Sequence, residues 1–253
     1  MRTVRPVSLL AVGAILGAQM LGAPLAASLE RPAIDGPVPD AGVLDPRATG
    51  PDELRLAGPC RTTAAVLDPA ARPAHATAAD LHGAWIHGRG EGQVVAVIDT
   101  GVNPGPRLPR VRGAGDVVRG GNGTEDCDAH GTLVAGVLAA TEDATGHSGV
   151  APGVEIVSIR QSSTVLRATH RDAGDPAVGS GVGTLANLAR AIRTAADAGA
   201  AVLHISEVAC VPAGTPLEDD TLGGAVRYAA VDHDGWHRQT LAYLPAWMAY
   251  DFR

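Results

Sequence analysis

Two residues at the ends of predicted secondary-structure elements, Asp99 and His130, could together activate a nucleophile. Asp99 follows the β-branched run at residues 92–98, and His130 opens a run of small apolar residues that is typical of a helix. A carboxylate that accepts a hydrogen bond from one imidazole nitrogen leaves the other nitrogen able to take a proton from a serine. In such a pair we expect Asp99 to orient the ring and His130 to act as general base and then as general acid.

Each of the two residues also has a structural interpretation. An aspartate that ends a strand and precedes Thr100 and Gly101 is often part of a turn. A lone histidine at a helix start is usually structural, and the helix dipole disfavours its charged form there. A carboxylate near the ring would offset that effect and fix the tautomer, so the pair is more informative than either residue alone.

The elements around this pair predict an α/β fold. We expect strands at residues 92–98, 154–159 and 201–205 and near 116–118, helices at 76–85, 131–140, 185–198 and 222–230, and a long polar loop at 162–183. Strands that alternate with helices indicate a mostly parallel sheet covered on both faces, with working residues at the carboxyl ends of its strands. The helix at 131–140 is apolar on all sides, which predicts a buried helix. We expect Gly131 to allow close packing behind the histidine, and Ala135 and Gly136 to hold the helix tightly on the sheet.

Composition argues against several classes of function. The 253 residues are 45% hydrophobic, contain no lysine and carry a net charge of −7, so no basic patch for nucleic acid is expected. No Gly-x-Gly-x-x-Gly block follows the first strand, which argues against dinucleotide binding. The cluster Asp126, Cys127, Asp128 and His130 has no common zinc-site spacing. We therefore predict no metal ion and no other cofactor.

The N-terminus has the features of an export signal. Arg2 and Arg5 precede an uncharged stretch at residues 6–29 with an apolar core at 7–25, and Ala26-Ala27-Ser28 suits a cleavage site. We predict a signal peptide at residues 1–28; an uncleaved membrane anchor is the alternative, because the stretch is just long enough to span a bilayer. Residues 29–75 are rich in Pro, Ala, Asp and Arg without periodicity, which indicates an extended arm.

Export would place three cysteines, Cys60, Cys127 and Cys210, in an oxidising compartment. Two of them can pair and one is left over. Three buried thiols are the alternative.

Three ordered blocks resemble those of subtilisin-like serine proteases. Val-Ala-Val-Ile-Asp99-Thr-Gly-Val and His130-Gly-Thr-Leu-Val-Ala-Gly-Val are similar to their aspartate and histidine signatures, and His147-Ser-Gly-Val-Ala-Pro152-Gly to the block that follows. Further segments resemble the mycosins, the membrane-anchored subtilases of type VII secretion systems: 106–113, 126–130, 159–163 and 205–210, together with Leu133, where most subtilases have a second histidine.

The resemblance covers roughly residues 55–230 and implies a fold, a reaction and partners. It implies a subtilisin-like three-layer sandwich, an endopeptidase acting on a protein or peptide substrate, and association with the type VII secretion membrane complex. It maps a disulfide that ties the arm to the catalytic domain onto Cys60 and Cys127, which leaves Cys210 unpaired. It also places Ser206 and Glu207 along the substrate cleft.

The sequence departs from the family where a nucleophile would be expected. It contains no Gly-Thr-Ser-x-Ala block and no Asn after an Ala-Gly pair to bind the oxyanion. The resemblance ends near Val231, so we predict a partial catalytic domain at 76–231, a sheet incomplete on its C-terminal side and a non-homologous tail at 232–253. The family's C-terminal membrane anchor has no counterpart in the sequence, and a divergent C-terminus is the alternative to a frameshift or premature end.

Three hypotheses for function follow from this. The first is a secreted or envelope-associated subtilase whose triad lacks its serine in this chain, which predicts no proteolysis. The second is a non-catalytic component of the secretion complex, and the third is an inactive gene fragment. His204, where the family usually has Asn, is interpreted as a core residue, with disturbance of the substrate-lining strand as the alternative.

Overall fold

The computed structural model of the chain describes residues 54–62, 81–144, 146, 148–169, 182–206 and 220–232. The predicted signal peptide at 1–28, most of the arm at 29–75, Glu207, Cys210 and the tail beyond residue 232 lie outside the described residues. Within them, no helix combines the length and apolar character needed to cross a membrane.

Eleven short elements make up the described part of the chain. In order they are β1 (Leu54–Leu56), α1 (Leu81–Trp85), β2 (Val94–Asp99), β3 (Val111–Asp116), α2 (His130–Ala139), β4 (Glu155–Arg160), β5 (Leu166–Ala168), α3 (Leu185–Asp197), β6 (Val202–Ile205), α4 (Asp220–Arg227) and a π-helical turn at Tyr228–Asp232. Four of the strands form a sheet in the order β3-β4-β2-β6, and every neighbouring pair is parallel.

Helices cover both faces of this sheet. On one face, α3 and α4 pack over Ala96 and Ile98 of β2, while on the other α2 packs over Val95 and Val97. Residues 95–99 of β2 are buried on both sides of the sheet, which explains their nearly continuous apolar character. The predicted α/β class with a mostly parallel sheet is confirmed.

Two predictions about elements were wrong in detail. The strand expected near 116–118 lies at Val111–Asp116 instead. Its middle residues, Gly113 to Gly115, are small because the loop at residue 122 crosses them: a Cβ on Gly113 would lie 2.0 Å from the Asn122 carbonyl oxygen. Because small residues let the loop pass close to this strand, the strand lacks the run of large apolar residues by which buried strands are predicted. The loop at 162–183 likewise contains β5, which pairs with β1 in antiparallel register.

The prediction that α2 is buried on all sides was also wrong. Gly131, Ala135 and Ala139 face the sheet, whereas Leu133 is 57% exposed and Val137 56% exposed. A helix packed on one layer buries only one face, so apolar residues all round do not establish burial. Gly136 is not a packing glycine either, because a Cβ there would meet nothing within 4 Å.

The segment at residues 54–62 is bound to the domain at several points. Leu54–Leu56 pairs with Leu166–Ala168, and the Ala57 N–H donates to the Val165 carbonyl at 2.8 Å. Farther along, Cys60 forms a disulfide with Cys127, and the Arg61 N–H donates to the Cys127 carbonyl at 2.8 Å. The disulfide therefore joins this segment to the loop that immediately precedes α2.

Candidate active site

The end of β2 and the start of α2 bring Asp99 and His130 together. His130 Nδ1 lies 2.7 Å from Asp99 Oδ1, within hydrogen-bond distance. The Asp99 carboxylate is fully buried, while the His130 side chain is 55% exposed. The buried acid can thus hold one nitrogen of the ring while much of the imidazole surface stays accessible to a reactant.

The position of Asp99 follows from the sheet. Asp99 is the last residue of β2 and pairs in register with Arg160, the last residue of β4. Its carbonyl accepts a hydrogen bond from the Gln161 N–H at 2.8 Å, and its Oδ1 accepts one from the Thr100 N–H at 2.6 Å. Asp99 Oδ2 is buried and has no hydrogen-bond partner among the described residues. The same oxygen, Oδ1, therefore accepts the hydrogen bond from the neighbouring Thr100 N–H and contacts His130.

Gly131 allows α2 to approach β2 closely enough for this contact. A Cβ at position 131 would lie 2.1 Å from the Gly101 carbonyl oxygen and 3.1 Å from both Cβ and Oδ1 of Asp99. Any side chain would therefore push the first turn of α2 away from the strand. The role expected for Gly131 from the sequence agrees with this geometry.

Two acidic residues of the loop before His130 are buried, although the sequence suggested no role for them beyond the rejected metal cluster. Asp126 is 5% exposed and binds the first turn of α2, and Asp128 is 4% exposed. Asp128 Oδ2 accepts from Ser163 Oγ at 2.6 Å, and its Oδ1 accepts from the Thr164 N–H at 2.6 Å. A carboxylate four residues before a helix-opening histidine was the available signal. No cluster of His, Cys, Asp and Glu suited to a metal ion occurs in the described ranges.

A second histidine, His204, lies near the pair. In register it is the neighbour of Val97 in β2, two residues before Asp99 and so on the same face of the sheet. Burial lowers the pKa of His204, the charge of Asp99 raises it and that of His130 lowers it further. His204 is half-buried rather than a core residue, and its Nε2 lies 2.9 Å from Ser206 Oγ.

Of the residues expected along a substrate cleft, only Ser206 can be placed. It is exposed and follows the last residue of β6 at the carboxyl edge of the sheet, the edge at which Asp99 also ends its strand. This edge therefore carries the Asp99–His130 pair and, on the neighbouring strand β6, the contact between His204 and Ser206. Glu207 is outside the described residues.

Comparison with known proteins gives a family match and relatives that agree with it. A sequence model of the subtilase family matches residues 90–233. Mycosin-3 of Mycobacterium tuberculosis H37Rv is 44% identical over 208 residues, which cover 80% of this chain and 44% of the relative. Mycosin-4 of the same organism is 45% identical over 235 residues, which cover 90% of this chain and 50% of the relative. The chain spans about half the length of the curated relatives it matches.

Solved structures of similar proteins agree with the sequence matches. The MycP3 protease from the type VII (ESX-3) secretion system is 40% identical with a TM-score of 0.67, covering 79% of this chain and 53% of that one. A chain of the periplasmic assembly from the ESX-5 inner membrane complex is 37% identical with a TM-score of 0.65, covering 79% and 54%. From the two ordered signature blocks, the parallel sheet that carries them and these matches, we conclude that the chain belongs to the subtilase family, and that mycosins are among its similar relatives.

Proposed function

We propose that this chain supplies the aspartate and histidine of a subtilase active site that hydrolyses peptide bonds in protein substrates. The contact between His130 Nδ1 and Asp99 Oδ1 at 2.7 Å carries the proposal. Asp99 holds the ring in the tautomer with the proton on Nδ1, and its buried charge stabilises the imidazolium that forms when the other nitrogen takes the proton of a serine. His130 then returns that proton to the leaving amine.

In this proposal the nucleophile does not come from the 253-residue sequence itself. Its eight serines are Ser8, Ser28, Ser148, Ser158, Ser162, Ser163, Ser180 and Ser206, and none of them stands in a Gly-Thr-Ser-x-Ala block. We infer that the 253-residue polypeptide by itself has no proteolytic activity. The division into a signal peptide at 1–28, an arm at 29–75, a partial catalytic domain at 76–231 and a tail at 232–253 belongs to the same proposal, and the family match at 90–233 supports its third part.

A chimera tests this proposal. Residues 1–231 are joined to the C-terminal part of Mycosin-3 that follows the matched region, and a serine-directed fluorophosphonate probe is applied to the chimera and to the 253-residue chain. We expect labelling of the chimera, loss of labelling in its His130→Ala variant and no labelling of the 253-residue chain. A folded chimera that is never labelled would contradict the catalytic role, and labelling of the 253-residue chain would contradict the missing nucleophile.

A second function, association with a type VII secretion membrane complex, rests on a separate observation. The similar chain of the ESX-5 assembly is part of an inner membrane complex, and its likeness covers 79% of this chain. We propose that the exported chain binds such a complex at the cell envelope independently of cleavage. Affinity purification of the complex from cells expressing either the native chain or its His130→Ala variant should recover both equally. Recovery of neither would reject association, and recovery of the native chain alone would show that association requires the imidazole of His130.

A further inference from the structure

Asp126 has a buried carboxylate close to the Asp99–His130 pair. The proposed reaction does not use this carboxylate. It lies four residues before His130 and is 5% exposed. A buried carboxylate is stable only when donors compensate it, so its partners show what it holds in place.

Both oxygens of Asp126 are saturated by donors. Oδ1 accepts from Thr100 Oγ1 at 2.9 Å and from the N–H groups of Asp128 and Ala129 at 3.0 and 2.8 Å. Oδ2 accepts from the N–H and Oγ1 of Thr132 at 2.8 and 2.7 Å. These partners belong to the residue after Asp99 and to the residues on both sides of His130.

The start of α2 depends on these bonds because it lacks a cap of its own. The N-cap residue Ala129 has a left-handed φ of 66° and makes no side-chain cap hydrogen bond. Two first-turn N–H groups bind residues outside the helix instead. The Thr132 N–H donates to Asp126 Oδ2, and the Gly131 N–H donates to Thr100 Oγ1 at 3.0 Å. Since Thr100 Oγ1 itself donates to Asp126, one carboxylate connects the end of β2 to the start of α2.

Asn103 holds the main chain of Asp126. Its Nδ2 donates to the Asp126 carbonyl, and its Oδ1 accepts from the Asp126 N–H, both at 2.9 Å. The Asn103 N–H also donates to Thr132 Oγ1 at 3.0 Å. Asp126 is thus held through both its main chain and its side chain, and neither carboxylate oxygen can move without breaking at least two hydrogen bonds.

We propose that Asp126 is a positioning residue that sets the distance between His130 and Asp99. This inference rests on the proposed function, because it assigns Asp126 to the same site. Asp126 touches neither reacting group. It ties the residue after Asp99 to both sides of His130, and an error of about 1 Å in such a site can cost on the order of 10²-fold in rate.

The test compares two matched variants, Asp126→Asn and Asp128→Asn, in the full chain with ¹⁵N-labelled histidine. Both residues are buried in the same loop, but the side chain of Asp128 binds residues 163–165 and not α2. The readout is the low-field proton on His130 Nδ1, assigned by its loss in His130→Gln. An amide at position 126 replaces one acceptor oxygen with an NH2 group, which would face N–H and hydroxyl donors. We therefore expect Asp126→Asn to lose the signal and Asp128→Asn to keep it, at temperatures where both variants are folded.

Thr100→Val keeps the inference testable if Asp126→Asn does not fold. It removes the hydroxyl that binds both Asp126 and the Gly131 N–H while preserving shape, and we expect it to weaken the same signal. A native signal in whichever of these variants folds, or equal loss in Asp128→Asn, would overturn the assignment. In the chimera with the C-terminal part of Mycosin-3, Asp126→Asn should slow labelling by the fluorophosphonate probe on the order of 10²-fold. A chimera that is not labelled at all refutes the proposed function, while the proton signal still decides the role of Asp126.

Discussion

At the scale of single residues, the site depends on the absence of a side chain at Gly131. A methyl group there would overlap the Gly101 carbonyl and press on Asp99, so close packing takes precedence over helix propensity at this position. Gly136 in the same helix has open space around its Cα and provides a natural comparison.

We expect Gly131→Ala to destabilise the protein by about 1–3 kcal/mol, because overpacking outweighs the gain in helix propensity. Gly136→Ala should instead stabilise it by about 0.5–1 kcal/mol. Urea unfolding of both variants measures the two changes. Equal stabilisation by both would show that α2 does not contact β2 as closely as described.

The pH dependence of stability should reveal His204. Burial lowers its pKa in the folded state, so between that value and the unfolded value of about 6.5 the unfolded chain binds the proton more readily. The contribution of His204 to stability is therefore fully present above about pH 6.5, and it is lost as the pH drops through the folded pKa. His204→Asn removes this contribution. We expect its thermal midpoint to fall less between pH 7.5 and 5 than that of the native chain; parallel curves would contradict the shift.

At the scale of elements, α2 shows how far periodicity can be taken. Its small and apolar residues correctly predicted a helix beginning at the histidine, but not which face is buried. Contact with β2 sets the buried face: Gly131, Ala135 and Ala139 are buried there, and Val134 and Leu138 pack partly against the same cluster. Helices α3 and α4 were easier to predict, because their apolar residues are confined to the face that packs on the sheet.

Substitutions on the two faces of α2 should therefore differ. Leu133→Ser lies on the exposed face and is expected to change the free energy of unfolding by no more than about 0.5 kcal/mol. Ala135→Val adds two methyl groups at a fully buried contact and should cost about 1–3 kcal/mol. Chemical denaturation of the pair checks this. A large loss in Leu133→Ser would mean that this face is covered.

At the scale of the whole molecule, the chain pairs a conventional parallel sheet with an N-terminal segment anchored at two places. Strand pairing of β1 with β5 holds one end of residues 54–62, and the disulfide holds the other. The second anchor lies in the loop that carries Asp126 and leads to His130. The segment at 54–62 therefore helps to hold the same loop that the Asp126 hydrogen bonds hold.

Removing this disulfide should destabilise the fold. The double variant Cys60→Ser and Cys127→Ser opens a link between residues 67 apart, and we expect a loss of about 2–4 kcal/mol. Thermal unfolding of the variant against the oxidised native chain measures the loss. A matched change at Cys210 in the native chain should have no comparable effect, and an equal effect would indicate that Cys210 takes part in the pairing.

The sequence by itself determined the α/β class, the order of the main elements and the candidacy of Asp99 and His130. These follow from local periodicity and from residue types at element ends, which short stretches of chain encode. Only the tertiary structure decided the buried face of α2, the central place of Asp126 and the nearness of His204 to the pair. Each of these depends on contacts between segments far apart in the chain, such as Thr100 with Asp126 or β2 with β6, and local patterning carries no information about such contacts.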